Sequence, residues 1–205
     1  MKVTKLLGYQ VLDSRGRPTV AASITLEDGT THTARVPSGA STGKHEALEL
    51  RDGDQLAHNN FYGALSVTKA VENVNTRIAP LIVGQQVDLK FIDGEIRTLD
   101  TTSNFSSLGA NATLAVSLAA AKASAHAHNV SLARYFQPQG NLLIPMPMVN
   151  ILSGGAHANR SLDFQDVLIV PTGASSFTEA LSWIVAIRET AAQLGSQAGM
   201  ITHLV

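Results

Sequence analysis

The sequence predicts an α+β domain followed by the opening elements of an α/β fold. Alternating apolar residues, typical of strands, occupy the start of the chain, and helical spacings follow them. After a proline-rich stretch, a shorter segment has the pattern strand, strand, helix, strand, with which an α/β layout begins. The 205 residues exceed one ordinary domain of about 100–150 residues but fall short of two.

Three strands of an antiparallel meander are predicted first. Apolar residues alternate with small or polar ones over residues 20–27, the period of a half-buried strand. Asp28-Gly29 follows and favours a hairpin, because glycine tolerates positive φ. Residues 31–36 then return with β-branched side chains, and residues 3–12 supply the third strand.

Two helices are predicted in the rest of this domain. Valine and isoleucine recur at helical spacing over residues 67–78, and Pro80 is expected to end that helix. Asn111 is expected to cap the second helix. The apolar face of the second helix is predicted to hold Leu114, Leu118, Ala121 and Ala125.

A domain boundary is predicted at residues 137–147, which contain three prolines and one glycine. We assign residues 1–138 to the first domain and residues 139–205 to the start of the second. The second is expected to have strands at 148–152, 167–170 and 199–205 and a helix at 175–195. A segment of this length cannot close a parallel barrel, which typically takes about 250 residues.

Composition excludes several classes of protein. The chain is 44% hydrophobic, enough for a core, and its net charge of −1 gives no general attraction to nucleic acid or anionic membranes. The absence of cysteine excludes a disulfide scaffold and a thiolate site. The N-terminus lacks the features of a signal peptide, and no apolar run reaches the roughly 18 residues of a membrane span. We expect a cytoplasmic protein.

Residues 37–45 form a predicted loop rich in small residues. The spacing between Gly39 and Gly43, and His45 after Lys44, do not fit the nucleotide-binding phosphate loop. Two interpretations remain open: a flexible surface turn, or a mobile loop that presents Ser41 or backbone groups to a ligand or metal.

His157 and Asp166 are further candidates for chemistry. His157 follows Gly154-Gly155 at the end of a predicted strand, where α/β enzymes place catalytic groups, although a structural role is the alternative. Asp166 adjoins an apolar strand, where a carboxylate is costly unless it is paired or metal-bound. Two interpretations of Asp166 remain open: structural pairing with another side chain, or a role in acid–base catalysis.

Other titratable residues are expected to be structural. His126 and His128 lie two positions apart on a predicted helix and so face different directions, which argues against a metal site. His45, Glu46 and Glu49 are expected to continue into a short helix with a solvated face.

Several separated motifs, in order along the chain, resemble those of the enolase family. They are residues 12–20 (LDSRGRPTV), 36–52 (VPSGASTGKHEALELRD), 109–112 (GANA), 145–152 (PMPMVNIL) and 154–158 (GGAHA). The resemblance covers essentially the whole chain and implies an α+β capping domain before an α/β barrel that opens with two strands.

The implied reaction is the reversible, Mg²⁺-dependent dehydration of 2-phospho-D-glycerate to phosphoenolpyruvate in glycolysis. In the family a lysine removes the C2 proton, Mg²⁺ stabilises the enolate and a glutamate assists departure of the C3 hydroxyl. The resemblance also implies a homo-oligomer, a dimer or larger, with no nucleic acid or membrane partner.

Site residues are carried over by position. Ser41 matches the loop serine that ligates Mg²⁺, and Gly39 and Ala40 belong to the same substrate-facing loop. His157 matches a catalytic histidine near the substrate phosphate.

Gln165 and Asp166 match a substrate-facing Gln-Glu pair. Asp166 departs from the family by being one methylene shorter, and Arg17 departs from it by replacing an asparagine.

The sequence lacks the family's Gly-Asp-Glu-Gly-Gly motif, its main Mg²⁺ carboxylates and its active-site lysines. We therefore expect an N-terminal portion of an enolase that is inactive by itself. The alternative is a truncated, non-catalytic module for binding or dimerisation. An unrelated metal hydrolase is disfavoured, because the sequence shows no ligand cluster.

Overall fold

The computed structural model describes residues 1–39, 42–53, 61–155 and 163–199. The chain forms two compact units, Met1–Gly140 and Asn141–Val205. The first contains an antiparallel sheet covered by helices, and the second contains a two-stranded hairpin and one long helix.

The sheet of the first unit has the strand order β1 (Val3–Leu12), β2 (Pro18–Leu26), β3 (Thr31–Arg35), and all neighbours are antiparallel. Ile24 of β2 pairs with Leu6 on one side and His32 on the other. The meander is therefore the one that the sequence predicts. The predicted alternation of buried and half-buried residues holds from Ala22 onward, whereas the earlier part of this central strand is buried throughout.

Both turns of the sheet are closed by local hydrogen bonds. The N–H groups of Arg17 and Arg15 each donate to Asp13 Oδ1 at 2.8 Å, which lowers the pKa of that carboxyl. Gly29 has a φ of 83° and donates its N–H to Leu26 O at 3.0 Å, as the Asp-Gly signal predicts.

A continuous helical stretch follows, and Pro80 does not end it as predicted. It comprises α1 (Thr68–Glu72), a π-helical segment (Asn73–Ile78) and α2 (Ala79–Ile82), and a separate 3₁₀ turn (Phe61–Ala64) precedes it. The Ala79 N–H donates to Val74 O, five residues back. This wider turn makes room for the proline ring, whose clash with the preceding turn would otherwise break the helix.

Two longer helices follow, α3 (Leu89–Leu99) and α4 (Ala110–Ala127); α4 packs against β2 and β3, and α3 packs against α4. The sequence analysis missed α3, although Asp88 marks its start by accepting a hydrogen bond from the Phe91 N–H at 2.7 Å. The cap of α4 is Gly109, not Asn111. Asn111 is buried in the first turn, where its side chain accepts from Leu50 N–H at 3.2 Å and donates to Leu50 O at 3.0 Å.

The predicted apolar face of α4 is partly wrong. Leu114 and Leu118 are 43% and 39% exposed, and only Ala121 and Ala125 of that face are buried. The side of α4 that lies against β2 and β3 is formed largely by small residues, which allow a close approach to the sheet: Ala112, Ala115, Val116, Ala119, Ala120 and Ala123.

Residues 46–53 contain no helix, contrary to the prediction for the segment after His45. Their backbone groups are bound to other segments instead. The Leu48 N–H donates to Asn104 O at 2.8 Å, and Leu48 O accepts from the Ala110 N–H at 2.7 Å. Bonds to other segments therefore satisfy backbone groups that a helix would have paired internally.

The first unit ends after the short helix α5 (Leu132–Phe136). In the second unit, β4 (Val149–Ser153) pairs antiparallel with β5 (Asp166–Ile169), and α6 (Phe177–Gln197) follows. Ser176 caps α6 by accepting from the Glu179 N–H at 3.2 Å. Residues 200–205 of the predicted last strand lie outside the described residues.

Candidate active-site elements

The six residues proposed from the sequence fall into two groups. Gly39, Gln165 and Asp166 belong to the part of the chain that the structure describes, whereas Ala40, Ser41 and His157 lie outside it. Gly39 belongs to the first unit and the Gln165-Asp166 pair to the second.

The stem of the loop at residues 37–45 is fixed to the end of the sheet. The Val36 N–H donates to Val20 O at 3.0 Å, and the buried Thr19 hydroxyl donates to Val36 O at 2.7 Å. Both backbone polar groups of Val36, the residue before Pro37, are thus bonded before the loop begins.

Ser38 is held by its side chain and by its carbonyl group. Its hydroxyl donates to Glu49 Oε2 at 3.0 Å and accepts from Arg51 Nη2 at 3.2 Å. Arg15 Nη2 donates to its carbonyl oxygen. The residue that precedes Gly39 is therefore bound by three charged side chains.

Gly39 is exposed and lines a pocket of about 160 Å³. Thr42, Glu46 and Glu49 line the same pocket. Carboxylate and hydroxyl oxygens thus lie beside the loop, but they do not by themselves form a metal site.

Asp166 begins β5 and is exposed, not buried among apolar residues. Its Oδ1 accepts from Asn150 Nδ2 at 2.7 Å and from the Ser153 hydroxyl at 3.4 Å, and both partners belong to β4. Structural pairing, one of the two interpretations left open, is therefore observed at this carboxylate. The pairing also orients it at the end of the hairpin.

Gln165 closes the hairpin on the other side of Asp166. Its carbonyl oxygen accepts from the Gly154 N–H at 2.7 Å. Gly155 has a φ of 56° and lies against Gln165, since a side chain at position 155 would meet the Gln165 Cα at 3.6 Å. The glycine pair is thus explained by the turn that leaves β4.

The described residues do not provide a Mg²⁺ site. Among them, no group of three or more His, Asp or Glu side chains could hold a metal ion. Ser41, the metal ligand implied by the resemblance, lies outside the described residues.

The two histidines of α4 have separate partners. His126 Nε2 lies 2.8 Å from Asp28 Oδ2, and the hydrogen bonds from Thr30 and then from His126 lower the pKa of Asp28. His128 Nδ1 lies 2.8 Å from Ser124 O. Neither of these partners belongs to the loop at residues 37–45.

Two residues of these elements were missed by the sequence reasoning, Arg51 and Asn150. The partners of Arg51 include Pro18, Ser38 and Leu65, which are distant in sequence, so local spacing carries no signal for it. The same holds for Asn150, whose partner Asp166 lies 16 positions away.

Two family models match the chain in sequence order. The one described as the enolase N-terminal domain matches residues 3–136, which is more than half of the chain. The chain belongs to the enolase family. The model described as the enolase C-terminal TIM barrel domain matches residues 141–201. The enolase resemblance and the predicted fold class are confirmed.

The enolase matches also explain the different make-up of the two units. The N-terminal match contains the antiparallel sheet and its helices. The C-terminal match contains β4, β5 and α6. Since a TIM barrel has about eight strands, these two described strands do not form a closed barrel.

Among the described residues, no helix combines the length and the apolar character that a membrane crossing requires.

Proposed function

We propose that this chain supplies the N-terminal part of a Mg²⁺-dependent enolase, which reversibly dehydrates 2-phospho-D-glycerate to phosphoenolpyruvate. The observation that supports this most strongly is the ordered match of both enolase domains to residues 3–136 and 141–201. In this proposal residues 1–138 act as the capping domain and residues 139–205 as the first elements of the barrel.

The loop after Ser38 carries the metal-binding role in this proposal. Ser41 would ligate Mg²⁺, and Gly39 and Ala40 would bring the loop backbone to the substrate. The fixed stem at Ser38 supports such a role, because a ligand on a loop needs a defined starting point.

The hairpin of the second unit carries the substrate-facing roles. His157 lies near the substrate phosphate, and Gln165 and Asp166 face the leaving group. Asp166 is shorter than the family's glutamate, and a misplacement of about 1 Å can cost roughly a hundredfold in rate. Its hydrogen bonds to Asn150 and Ser153 fix the direction of the carboxylate.

The present chain by itself is proposed to be inactive. Mg²⁺ requires several oxygen ligands, and the family's main carboxylates and lysines have no counterpart in this sequence. The active form is proposed to be a cytoplasmic homo-oligomer that acts in glycolysis.

The test compares the present chain with a fusion that continues after Val205 into an enolase barrel starting at Gly-Asp-Glu-Gly-Gly. Formation of phosphoenolpyruvate from 2-phosphoglycerate is followed by absorbance with Mg²⁺ and again with excess EDTA. We expect turnover only from the fusion and only with Mg²⁺. A fusion that folds but does not turn over would contradict the proposed activity, and turnover by the present chain would contradict its proposed inactivity.

A non-catalytic module for binding or dimerisation is the second candidate. The observation that favours it is the set of exposed apolar side chains on α6, which includes Phe177, Leu181, Trp183 and Ile187. Sedimentation velocity over a range of concentrations tests it: this candidate predicts concentration-dependent dimers of the present chain, and a monomer at all concentrations would exclude dimerisation.

A further inference from the structure

Arg51 connects four separate segments of the first unit. Its Nη1 donates to Pro18 O at 2.7 Å and to Leu65 O, and its Nη2 donates to Glu49 Oε1 at 2.6 Å and to the Ser38 hydroxyl at 3.2 Å. Its side chain is only 19% exposed. One guanidinium group therefore joins the start of β2, the loop stem, the segment that contains Glu49 and the turn at Leu65 before α1.

The Arg51 guanidinium group is linked to the loop at residues 37–45 through Ser38. The Ser38 hydroxyl lies between Arg51 and Glu49, which form an ion pair with each other, and the Ser38 carbonyl oxygen is bound by Arg15. Hydrogen bonds to charged partners are stronger than neutral ones, particularly where solvent access is limited. The backbone at Ser38 is therefore held firmly one residue before Gly39.

Lysine could not replace Arg51 in this arrangement. A guanidinium group presents its donors in a rigid planar fork that reaches acceptors in several directions, whereas an ammonium group is a compact point charge on a flexible stem. The carbonyl groups of Pro18 and Leu65 and the pair at Ser38 and Glu49 require that fork.

We propose that Arg51 is a positioning residue that, through Ser38, fixes the point from which the loop after Gly39 leaves the domain. This inference rests on the proposed function for its consequence, namely that the same anchor places Ser41 for metal binding. The anchoring itself depends only on the contacts within the first unit.

Hydrogen exchange of the present chain, read by mass spectrometry in peptides covering residues 36–47, tests the anchor. Arg51→Lys is expected to raise amide exchange in these peptides about tenfold, because charge-assisted hydrogen bonds are lost. Arg77→Lys is the matched control, since Arg77 also donates to several groups, at Asn73 and Ser107, but to none in the loop stem. We expect this control to leave loop exchange unchanged.

A double-mutant cycle separates positioning from general stabilisation. Ser38→Ala is expected to raise loop exchange, and Arg51→Lys added to it is expected to raise it little further, because both changes remove the same link. A residue that merely stabilised the fold would change exchange throughout the unit and show no coupling with Ser38. Additive effects, or loop exchange unchanged by Arg51→Lys, would overturn the proposal.

A third variant keeps the test decisive if Arg51→Lys lowers overall stability. Glu49→Gln removes the charge that partners Arg51 and leaves the arginine's bonds to Pro18 and Leu65. Increased exchange confined to residues 36–47 supports the anchor, and unchanged exchange there overturns it. Exchange is measured without substrate, so this result stands apart from the success or failure of the enolase assay.

Discussion

The two units differ sharply in how they bury apolar side chains. In Met1–Gly140, large side chains on strands and helices alike are fully buried, including Ile24, Leu26 and Ile92, and so is Leu108 in the turn before α4. Among the described residues of Asn141–Val205, the buried positions are Gly154, Pro171, Ala180 and Ile184.

The contrast shows that an apolar strand needs a covering layer before it contributes to stability. β2 lies between two other strands and is covered by α4, whereas Val167 and Leu168 of β5 are 41% and 46% exposed. A small unit without a buried core rarely offsets the loss of chain entropy. The first unit is therefore expected to determine the measurable stability of the chain.

Replacing matched leucines in the two units tests this difference most strongly. Leu26→Ala should lower the free energy of unfolding by about 2–5 kcal/mol, because it removes a side chain that is 1% exposed and leaves a cavity. Leu168→Ala makes the same chemical change at an exposed strand position and should cost less than about 0.5 kcal/mol. Urea denaturation followed by far-UV circular dichroism, which reports on both units, measures both variants, and equal losses would contradict the contrast.

Two glycine substitutions test the packing of the first unit, and their expected effects on stability are smaller than that of Leu26→Ala. A Cβ at Gly8 of β1 would lie 2.7 Å from Val74 Cβ, so Gly8→Ala should destabilise by about 1–3 kcal/mol. Gly94→Ala is the control, because a Cβ there meets nothing within 4 Å and the site lies inside α3.

The control should stabilise the chain by roughly 0.5–1 kcal/mol, since alanine is the better helix former. Thermal unfolding followed by circular dichroism measures the melting temperature, which should fall for Gly8→Ala and rise for Gly94→Ala. A Gly8→Ala variant as stable as the wild type would show that β1 and the helix at Val74 are not closely packed.

Asp52 provides a smaller, pH-dependent test. Its buried carboxylate accepts from the Thr68 and Lys69 N–H groups, both at 2.9 Å, and so caps α1, whose own cap residue Val67 makes no side-chain bond. Asp52→Asn should cost about 0.5–1.5 kcal/mol at pH 7, the net contribution of a typical hydrogen bond, because the asparagine NH₂ group cannot accept one of the two bonds.

The pH dependence follows from the direction of the pKa. Burial alone would raise the pKa of Asp52, but the hydrogen bonds from Lys69 and Thr68 outweigh it and lower the pKa. The stabilisation is therefore fully present above the unfolded pKa of about 3.9 and is lost as pH falls through the lower, folded value. The difference between wild type and Asp52→Asn should shrink below about pH 4, and a constant difference in urea titrations would contradict this.

The sequence predicted the elements whose local pattern and tertiary environment agree. β2 and β3 follow from their alternation and the Asp-Gly turn, and α6 from its apolar spacing. The errors arose where tertiary contacts outweigh the local pattern. Leu114 and Leu118 look like a core face, but alanine packs closer to the sheet.

For the candidate site as well, local motifs were predictive and tertiary contacts were not. The motifs located the loop and the Gln165-Asp166 pair, and Asp166 was recognised as a carboxylate in need of a partner. The partners themselves, Asn150 for Asp166 and Arg51 for Ser38, come from distant positions in the chain. Such pairings depend on the fold and have no signature in local spacing.

The most direct test uses the natural fluorophores of the chain. The single tryptophan, Trp183, lies on α6 in the second unit, and the three tyrosines, Tyr9, Tyr62 and Tyr135, lie in the first. Urea titrations would follow Trp183 in the wild type and tyrosine fluorescence in a Trp183→Phe variant. We predict a sharp tyrosine transition and a gradual Trp183 change that is complete at lower urea. Coincident sigmoidal transitions of equal steepness would show one cooperative structure and contradict the self-sufficient core of the first unit.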